Sequence, residues 1–176
     1  MITQDELKRV LEYNPDTGIF TNKVSRGNRK AGSVAGSKTS RGYIQLSVKN
    51  RREYAHRLAF LYMEGYIPEV VDHIDRDTSN NRWKNLRDAT YQDNSRNKKA
   101  SSLSGYLGIT WDTHAQKWKV RVTNDQGVQI QGGLFPYEEL EAAITKANNM
   151  RAELHGKYAV LELFSGTIPP LGELNK

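Results

Sequence analysis

The chain has 176 residues, of which 37% are apolar and 26% are charged, and its net charge is +6. It contains no cysteine, which excludes disulfides and thiolate zinc sites, and no apolar run approaches the roughly 20 residues that a membrane-spanning helix needs. The low apolar content favours several small cores over one large core, in a protein that we expect to work in the cytoplasm without a membrane partner.

The positive charge is concentrated in the N-terminal third. Residues 1–66 contain 12 Lys and Arg against 6 Asp and Glu, whereas residues 101–176 contain 7 against 8. Such a basic segment can neutralise phosphates and release their counterions, so it fits nucleic-acid binding, and a charged, solvated surface is an equal alternative. The basic residues that we single out for phosphate contacts are Arg51, Arg52 and Arg57. For Arg57, a salt bridge to Glu64 or Asp72 is an equal alternative.

The first half of the chain predicts short elements joined by polar turns. Residues 14–18, Asn-Pro-Asp-Thr-Gly, are a strong turn signal, and clean alternation over 43–49 predicts a strand that turns at Asn50 and Arg51. In chain order, the predicted elements are a helix over 4–13, a strand over 19–21, strands over 43–49 and 52–55, and a helix over 56–63.

The next segment predicts a strand, a polar loop, a return strand and a helix. The loop over 75–81 contains no apolar residue, and Thr90 with Asp93 resembles a capping box at a helix start. The predicted elements are strands over 70–74 and 85–87 and a helix that begins at Tyr91 and runs toward Lys99.

Four residues of this segment stand out as suited to phosphodiester cleavage: Asp72, His73, Asn85 and Asn94. A histidine takes a proton from water near neutral pH, and a hard divalent cation prefers carboxylate and amide oxygens as ligands. Asp72 and His73 point to opposite faces of a strand, while Asn85 suits a structural role that orients the loop or His73. Any one of these residues alone is common in an ordinary surface turn, loop or helix start. Their joint spacing over a strand, loop, strand and helix is not expected by chance.

This segment resembles the HNH homing endonucleases of phages, the ββα-metal nucleases. The resemblance rests on Val70-Val71-Asp72-His73-Ile74-Asp75, on the run from Asn80 to Arg87 and on Asn94-Ser95-Arg96-Asn97, with Tyr54 to Ala59 as the preceding helix. It implies His73 as the general base, and Asp72 and Asn94 as ligands of one Mg²⁺ or Mn²⁺. It also implies double-stranded DNA as the partner, in a bacterial host cell if the gene belongs to a phage.

The C-terminal part predicts three strands and a helix, over 108–111, 117–123, 129–135 and from Pro136 onward. Ser104-Gly105-Tyr106, Lys117-Trp118, Gly133-Leu134-Phe135 and Leu154-His155-Gly156 make it similar to the Apetala-two, or ethylene-response-factor, DNA-binding domain of plants. The alternation leaves Lys119 and Arg121 on the open sheet face as candidates for DNA contacts, with Trp111 flanking them. Trp118 shares the other face with Val120, so we expect it to pack in the core.

These observations predict an α+β protein. Its boundaries are a nuclease module over 1–99 (ββα-metal motif about 69–99), a linker over 100–104, a sheet-and-helix DNA reader over 105–162 and a tail over 163–176. The predicted function is metal-dependent cleavage of DNA by nicking or double-strand cutting, of the homing type, by a protein for which a monomer is favoured. The alternatives are a non-catalytic DNA-binding regulator on the same scaffold and an RNA-directed nuclease, which no feature specifically supports.

Overall fold

The protein folds into two compact units, Met1–Ser95 and Arg96–Lys176. The computed structural model describes residues 2–175, with the exception of the Arg96 side chain. Each unit has its own hydrophobic core, in agreement with the expectation of small cores. Helices and small antiparallel sheets occur in both units, so the predicted α+β class is confirmed.

The first unit is built from short antiparallel pairs of strands and from helices that pack on them. In chain order, its elements are α1 (Gln4–Val10), β1 (Leu11–Asn14), β2 (Ile19–Asn22), β3 (Ser37–Lys38), β4 (Ile44–Val48), β5 (Arg51–Tyr54), α2 (Ala55–Glu64), β6 (Val70–His73), β7 (Leu86–Ala89) and α3 (Tyr91–Arg96). β1 pairs with β2, β3 to β5 form a three-stranded sheet, and β6 pairs with β7.

Two predicted boundaries are wrong at the start of this unit. The helix predicted over 4–13 ends at Val10, because Leu11–Asn14 pairs as a strand with Ile19–Asn22. The β4–β5 turn lies at Lys49 and Asn50, one residue earlier than predicted, and both have positive φ angles, 48° and 63°. Two successive left-handed residues form the tight turn that fits the twist of a hairpin.

The core of the first unit joins elements that are distant in sequence. Leu7 of α1, Phe20 of β2, Leu46 of β4 and Leu58 of α2 are all at most 2% exposed. α2 ends at Gly65, whose φ of 81° is the left-handed conformation common at helix ends. Leu86 of β7 belongs to the same buried hydrophobic cluster. The β6–β7 pair therefore packs on a core that is formed largely by the preceding residues.

The second unit is a three-stranded sheet with a long helix on one face. Its elements are β8 (Ile109–Asp112), β9 (Lys117–Thr123), β10 (Gln129–Phe135), α4 (Leu140–His155) and α5 (Leu171–Leu174). Trp118 and Val120 of β9 are fully buried, as the alternation predicts, against the apolar side of α4. Gly132 keeps this packing close, because a β-carbon there would lie 2.5 Å from Val120 Cγ1 and 2.7 Å from Met150 Sδ.

The residues that follow α4 pack on the same unit. Glu162 pairs at 3.3 Å with Arg151 of α4, which is 4% exposed and also donates to the carbonyl oxygen of Leu107 at 2.6 Å. Leu174, within the segment predicted as a tail, is 4% exposed in the core of this unit. Within residues 2–175, no helix is both long and apolar enough to cross a membrane.

Candidate active site

The β6–β7 pair and α3 hold the predicted site residues. Asp72 lies opposite Arg87 in the antiparallel register, and His73 lies opposite Leu86. α3 starts with reciprocal hydrogen bonds in which Asp93 N donates to Thr90 Oγ1 at 3.1 Å and Thr90 N donates to Asp93 Oδ2 at 3.2 Å. The return strand, β7, begins at Leu86, one residue later than predicted. Helix α3 ends at Arg96 rather than near Lys99.

The Asp72 carboxylate is buried and paired with Arg87. Asp72 is 3% exposed, and Arg87 Nε and Nη2 lie 2.8 Å and 2.7 Å from its Oδ2. From the sequence alone, a salt bridge between Arg57 and Asp72 is one alternative. In the structure, Arg87 forms the salt bridge with Asp72. Arg57 donates to the carbonyl oxygens of Pro68 and Glu69, at 3.2 Å and 3.4 Å. A guanidinium holding a buried carboxylate fixes both its charge and its orientation.

The His73 ring is held by Asn81. His73 is 5% exposed, and its Nε2 lies 3.1 Å from Asn81 Oδ1. Asn81 Nδ2 donates to the carbonyl oxygen of Ser79 at 3.2 Å, which directs the amide oxygen toward the imidazole. A carbonyl oxygen only accepts hydrogen bonds, so Nε2 carries the proton and the neutral ring has its lone pair on Nδ1.

Two rings from the preceding elements pack around His73. His56, at the start of α2, meets it edge-on with 5.1 Å between the ring centroids, and Tyr43 lies at 6.1 Å. His56 itself stacks on Tyr54 at 5.4 Å and is 7% exposed. Its Nδ1 has no hydrogen-bond partner among the residues that the structure describes. Burial is the largest cause that lowers the pKa of His56 to about 3, followed by repulsion from His73 in its protonated form and from Arg57.

We predict that the stability of the first unit falls on acidification because His56 is buried in its neutral form. Between its unfolded pKa of 6.5 and its folded pKa of about 3, the unfolded chain binds a proton that the folded chain does not. This contribution is therefore complete above pH 6.5 and is lost toward acid at up to roughly 1.4 kcal/mol per pH unit. Urea unfolding at pH 7, 6 and 5 measures it, and His56→Phe, which keeps a ring without a titrating group, should flatten the dependence. Equal pH dependences of the two proteins would contradict the assignment.

Asn85 organises the loop between the two strands. Its Oδ1 accepts from Asp75 N at 3.0 Å, and its Nδ2 donates to Asp75 Oδ1 at 2.9 Å and to the Asn80 carbonyl oxygen at 2.8 Å. Burial raises the pKa of the Asp75 carboxyl, but hydrogen bonds from Asn80 Nδ2, Asp77 N and Asn85 Nδ2 outweigh it and lower the pKa. The side chain of Asn85 thus bridges the loop, as one of its two expected roles requires, and Asn81 is the residue in contact with His73.

Asn94 lies in α3 with an exposed side chain, and its backbone N–H donates to the Thr90 carbonyl oxygen at 3.0 Å. Its amide oxygen and the Asp72 carboxylate are hard oxygen donors, which fit Mg²⁺ or Mn²⁺ rather than a soft metal. Over the part of the chain that the structure describes, no group of three or more His, Cys, Asp or Glu side chains is placed to hold a metal ion. A site with few protein ligands is what Mg²⁺ accepts, since this ion keeps several waters.

The candidate DNA-contact residues occupy different surfaces within their own units. Arg51 and Arg52 are exposed at the β4–β5 turn. Lys119 and Arg121 lie on the open face of the second sheet, where Lys119 Nζ is 3.5 Å from Asp112 Oδ2 and Arg121 donates to Gln129 Oε1 at 3.3 Å. Trp111, which we expected to flank them, packs at the rim of the core, 4.9 Å from the Trp118 ring, and donates to Asn175 Oδ1.

Sequence reasoning did not assign Asn81 or Arg87 to the site. Asp72 pairs with Arg87 because the two residues lie opposite each other in the register of β6 and β7. The sequence prediction began the return strand one residue too early, at Asn85. Asn81 gives no such signal, because it is one of several amides in a polar loop and its contact with His73 depends on the loop's conformation.

Comparison with known proteins identifies this arrangement. A family model described as HNH endonuclease matches residues 53–96, which include the end of β5 and all of α2, β6, β7 and α3. Protein 3.8 of Escherichia phage T7 is 34% identical over 99 residues, which span 54% of this chain and 78% of that protein. The chain belongs to the HNH endonuclease family.

Two further proteins are similar to this HNH endonuclease. An uncharacterized HNH endonuclease of Acanthamoeba polyphaga mimivirus, L560, is 39% identical over 108 residues, and the match spans 59% of this chain but about half, 54%, of that relative. A solved structure described as DNA binding and cleavage by the HNH homing endonuclease I-HmuI aligns with 69% of this chain and 71% of its own, at 23% identity and a TM-score of 0.40.

Proposed function

We propose that this HNH endonuclease hydrolyses phosphodiester bonds of double-stranded DNA, with His73 as the general base and one Mg²⁺ or Mn²⁺ held by Asp72 and Asn94. The observation that carries the proposal is the pairing of a buried, arginine-held carboxylate with an adjacent imidazole of fixed tautomer on one strand. Supercoiled plasmid incubated with the protein and Mg²⁺, against an EDTA control, tests the activity. The result separates a nuclease from a DNA-binding regulator that keeps the scaffold, and the products distinguish nicking from double-strand cutting.

The roles of the residues follow from their surroundings. Asn81 keeps the proton on His73 Nε2, so His73 takes a proton from the attacking water at Nδ1. Arg87 pairs with Asp72 and orients its side chain, and Asn85 bridges the 75–80 loop by its hydrogen bonds. A bound divalent ion supplies charge stabilisation at the phosphate and at the leaving oxygen.

A second part of the proposal concerns how the DNA is recognised. The first unit carries the positive excess and supplies most of the phosphate contacts, through residues such as Arg51, Arg52 and Arg57. The second unit is nearly neutral, so its contribution is to site choice, through Lys119 and Arg121 on the open sheet face. Its similarity to Apetala-two domains supports this reading, and a homing function remains part of the same proposal.

We predict that replacing Lys119 and Arg121 together with alanine relaxes site choice while cleavage continues. These side chains stand on the exposed face of β9, away from the core, so the unit keeps its fold. Removing a side chain that reads a base costs about 1–3 kcal/mol of discrimination, or roughly 10–100-fold in preference for the mapped site over a scrambled duplex. Cleavage competition between the two duplexes measures it. Lys146→Ala, an exposed lysine on α4, is the matched control.

Replacement of Arg51 and Arg52 provides the contrasting variant in the same assay. It should weaken binding to both duplexes alike and reduce the log–log salt slope by about one unit for each phosphate that is no longer neutralised. Full site preference in the Lys119/Arg121 variant would remove the second unit from its role as reader.

A further inference from the structure

The N-terminal hairpin β1–β2 reaches the loop that carries Asn81. The Tyr13 hydroxyl donates to the carbonyl oxygen of Asn81 at 2.6 Å, across 68 positions of the chain. Tyr13 is 4% exposed and Asn81 is 2% exposed, so this hydrogen bond lies away from solvent. A buried bond of this kind is costly to remove, because the carbonyl oxygen then loses its partner without gaining water.

The turn of the hairpin docks on the residues that follow Asn81. Trp83 N donates to the Pro15 carbonyl oxygen at 2.9 Å, and Arg82 Nε donates to the Asp16 carbonyl oxygen at 3.0 Å. The approach is closest at Gly18, where a β-carbon would lie 2.3 Å from the Asn81 carbonyl carbon and 2.4 Å from Arg82 N. Only glycine allows this contact, and its φ of 73° is also the conformation that glycine adopts most readily.

The hairpin is held by contacts within itself. Asn14 Oδ1 accepts from the backbone N–H groups of Asp16 and Thr17 at 3.0 Å and 3.1 Å, and Gly18 N donates to the Asn14 carbonyl oxygen at 2.8 Å. The Tyr13 ring packs on Phe20 at 4.7 Å between centroids. A turn that is hydrogen-bonded in this way and that contacts three successive residues, 81 to 83, supports the backbone position of these residues.

We propose that the β1–β2 hairpin is a positioning element for the catalytic base and acts through Asn81. The chain of contacts runs from the hairpin to the Asn81 backbone, and from the Asn81 amide to His73 Nε2. The hairpin lies outside residues 53–96, the part that the family model matches. This inference rests on the proposed function, because it takes His73 as the base. Tyr13 and Gly18 are positioning residues that act through Asn81 and touch no reacting atom.

The experiment measures single-turnover cleavage of supercoiled plasmid by the full chain with Mg²⁺. Tyr13→Phe keeps the ring and removes only the hydroxyl, and we expect about a 10-fold lower rate constant with an unchanged Kd for DNA, as for other supporting residues one step from the reaction. The matched control is Tyr62→Phe, which alters a ring of the same cluster, 5.8 Å from Tyr13. Its rate should equal that of the parent. A parent-like rate for Tyr13→Phe would overturn the proposal.

A double-mutant comparison separates positioning from a merely structural effect. In a His73→Ala background, Tyr13→Phe should cause no further loss, because no base remains to be positioned. An equal loss in both backgrounds would overturn the proposal and leave Tyr13 a structural residue. Asn81→Asp, which keeps an oxygen acceptor for Nε2–H, should recover part of the rate that Asn81→Ala loses. If His73→Ala itself cuts at the parent rate, the base assignment fails, and this outcome is distinct from a parent-like Tyr13→Phe.

Discussion

Replacing His73 with alanine should slow DNA cleavage by about 10²–10⁴-fold, the usual contribution of a general base, while DNA binding remains. The imidazole is 5% exposed and stands between Asn81 and the rings of His56 and Tyr43, so its position is set before any substrate arrives. Because we propose that phosphate contacts come from other surfaces, the Kd for DNA should stay near that of the parent.

The measurement is single-turnover cleavage with a parallel gel-shift titration. His114→Ala, which removes an exposed histidine from the β8–β9 turn, serves as the matched control and should cut at the parent rate. Circular dichroism of the His73 variant verifies that the unit remains folded, because the substitution also leaves Asn81 Oδ1 without its donor. Cleavage by His73→Ala within a few-fold of the parent would sink the base assignment.

Local patterns predicted most of the secondary structure correctly. The bounds of β9 and β10 match the predictions over 117–123 and 129–135, because strict alternation in β9 and flanking turns limit each strand. The buried positions of Trp118 and Val120 follow from the same alternation. The predicted helix over 4–13 failed where the deciding interaction is not local: Leu11–Asn14 is a strand because it pairs with Ile19–Asn22.

The candidate site shows the same division between local and distant signals. Asp72, His73, Asn85 and Asn94 are recognisable in the sequence because their spacing follows the strand–loop–strand–helix outline. Their roles as ligands, base and loop organiser stay predictions. The contacts that hold them come from further away or from loop conformation: Arg87 reaches Asp72 across a strand pair, and Tyr13 reaches Asn81 across 68 positions. A hydrogen bond to a loop carbonyl oxygen cannot be predicted from a periodic pattern in the sequence.

Chelation should abolish cleavage and leave DNA binding intact. Asp72 and Asn94 offer one carboxylate and one amide oxygen, so we expect a weakly held ion that excess EDTA removes and that Mg²⁺ or Mn²⁺ restores. Asn94→Ala should raise the Mg²⁺ concentration needed for half-maximal rate by about 10-fold. The loss of a side chain that helps to hold a metal ion commonly lowers metal affinity or activity by about 10–100-fold. Asp72→Asn should have the larger effect, since it removes the negative charge from the proposed metal ligand and from its pair with the half-buried Arg87.

A Mg²⁺ titration of the cleavage rate distinguishes these roles from a general loss of structure. If Asn94 is a ligand, high Mg²⁺ restores much of the rate of Asn94→Ala, whereas a variant that is slow at every Mg²⁺ concentration has lost something other than metal affinity. Asn149→Ala, an exposed asparagine on α4, is the matched control and should follow the parent curve. Cleavage that continues after exhaustive chelation would rule out the metal, because the reaction would then proceed without any divalent ion.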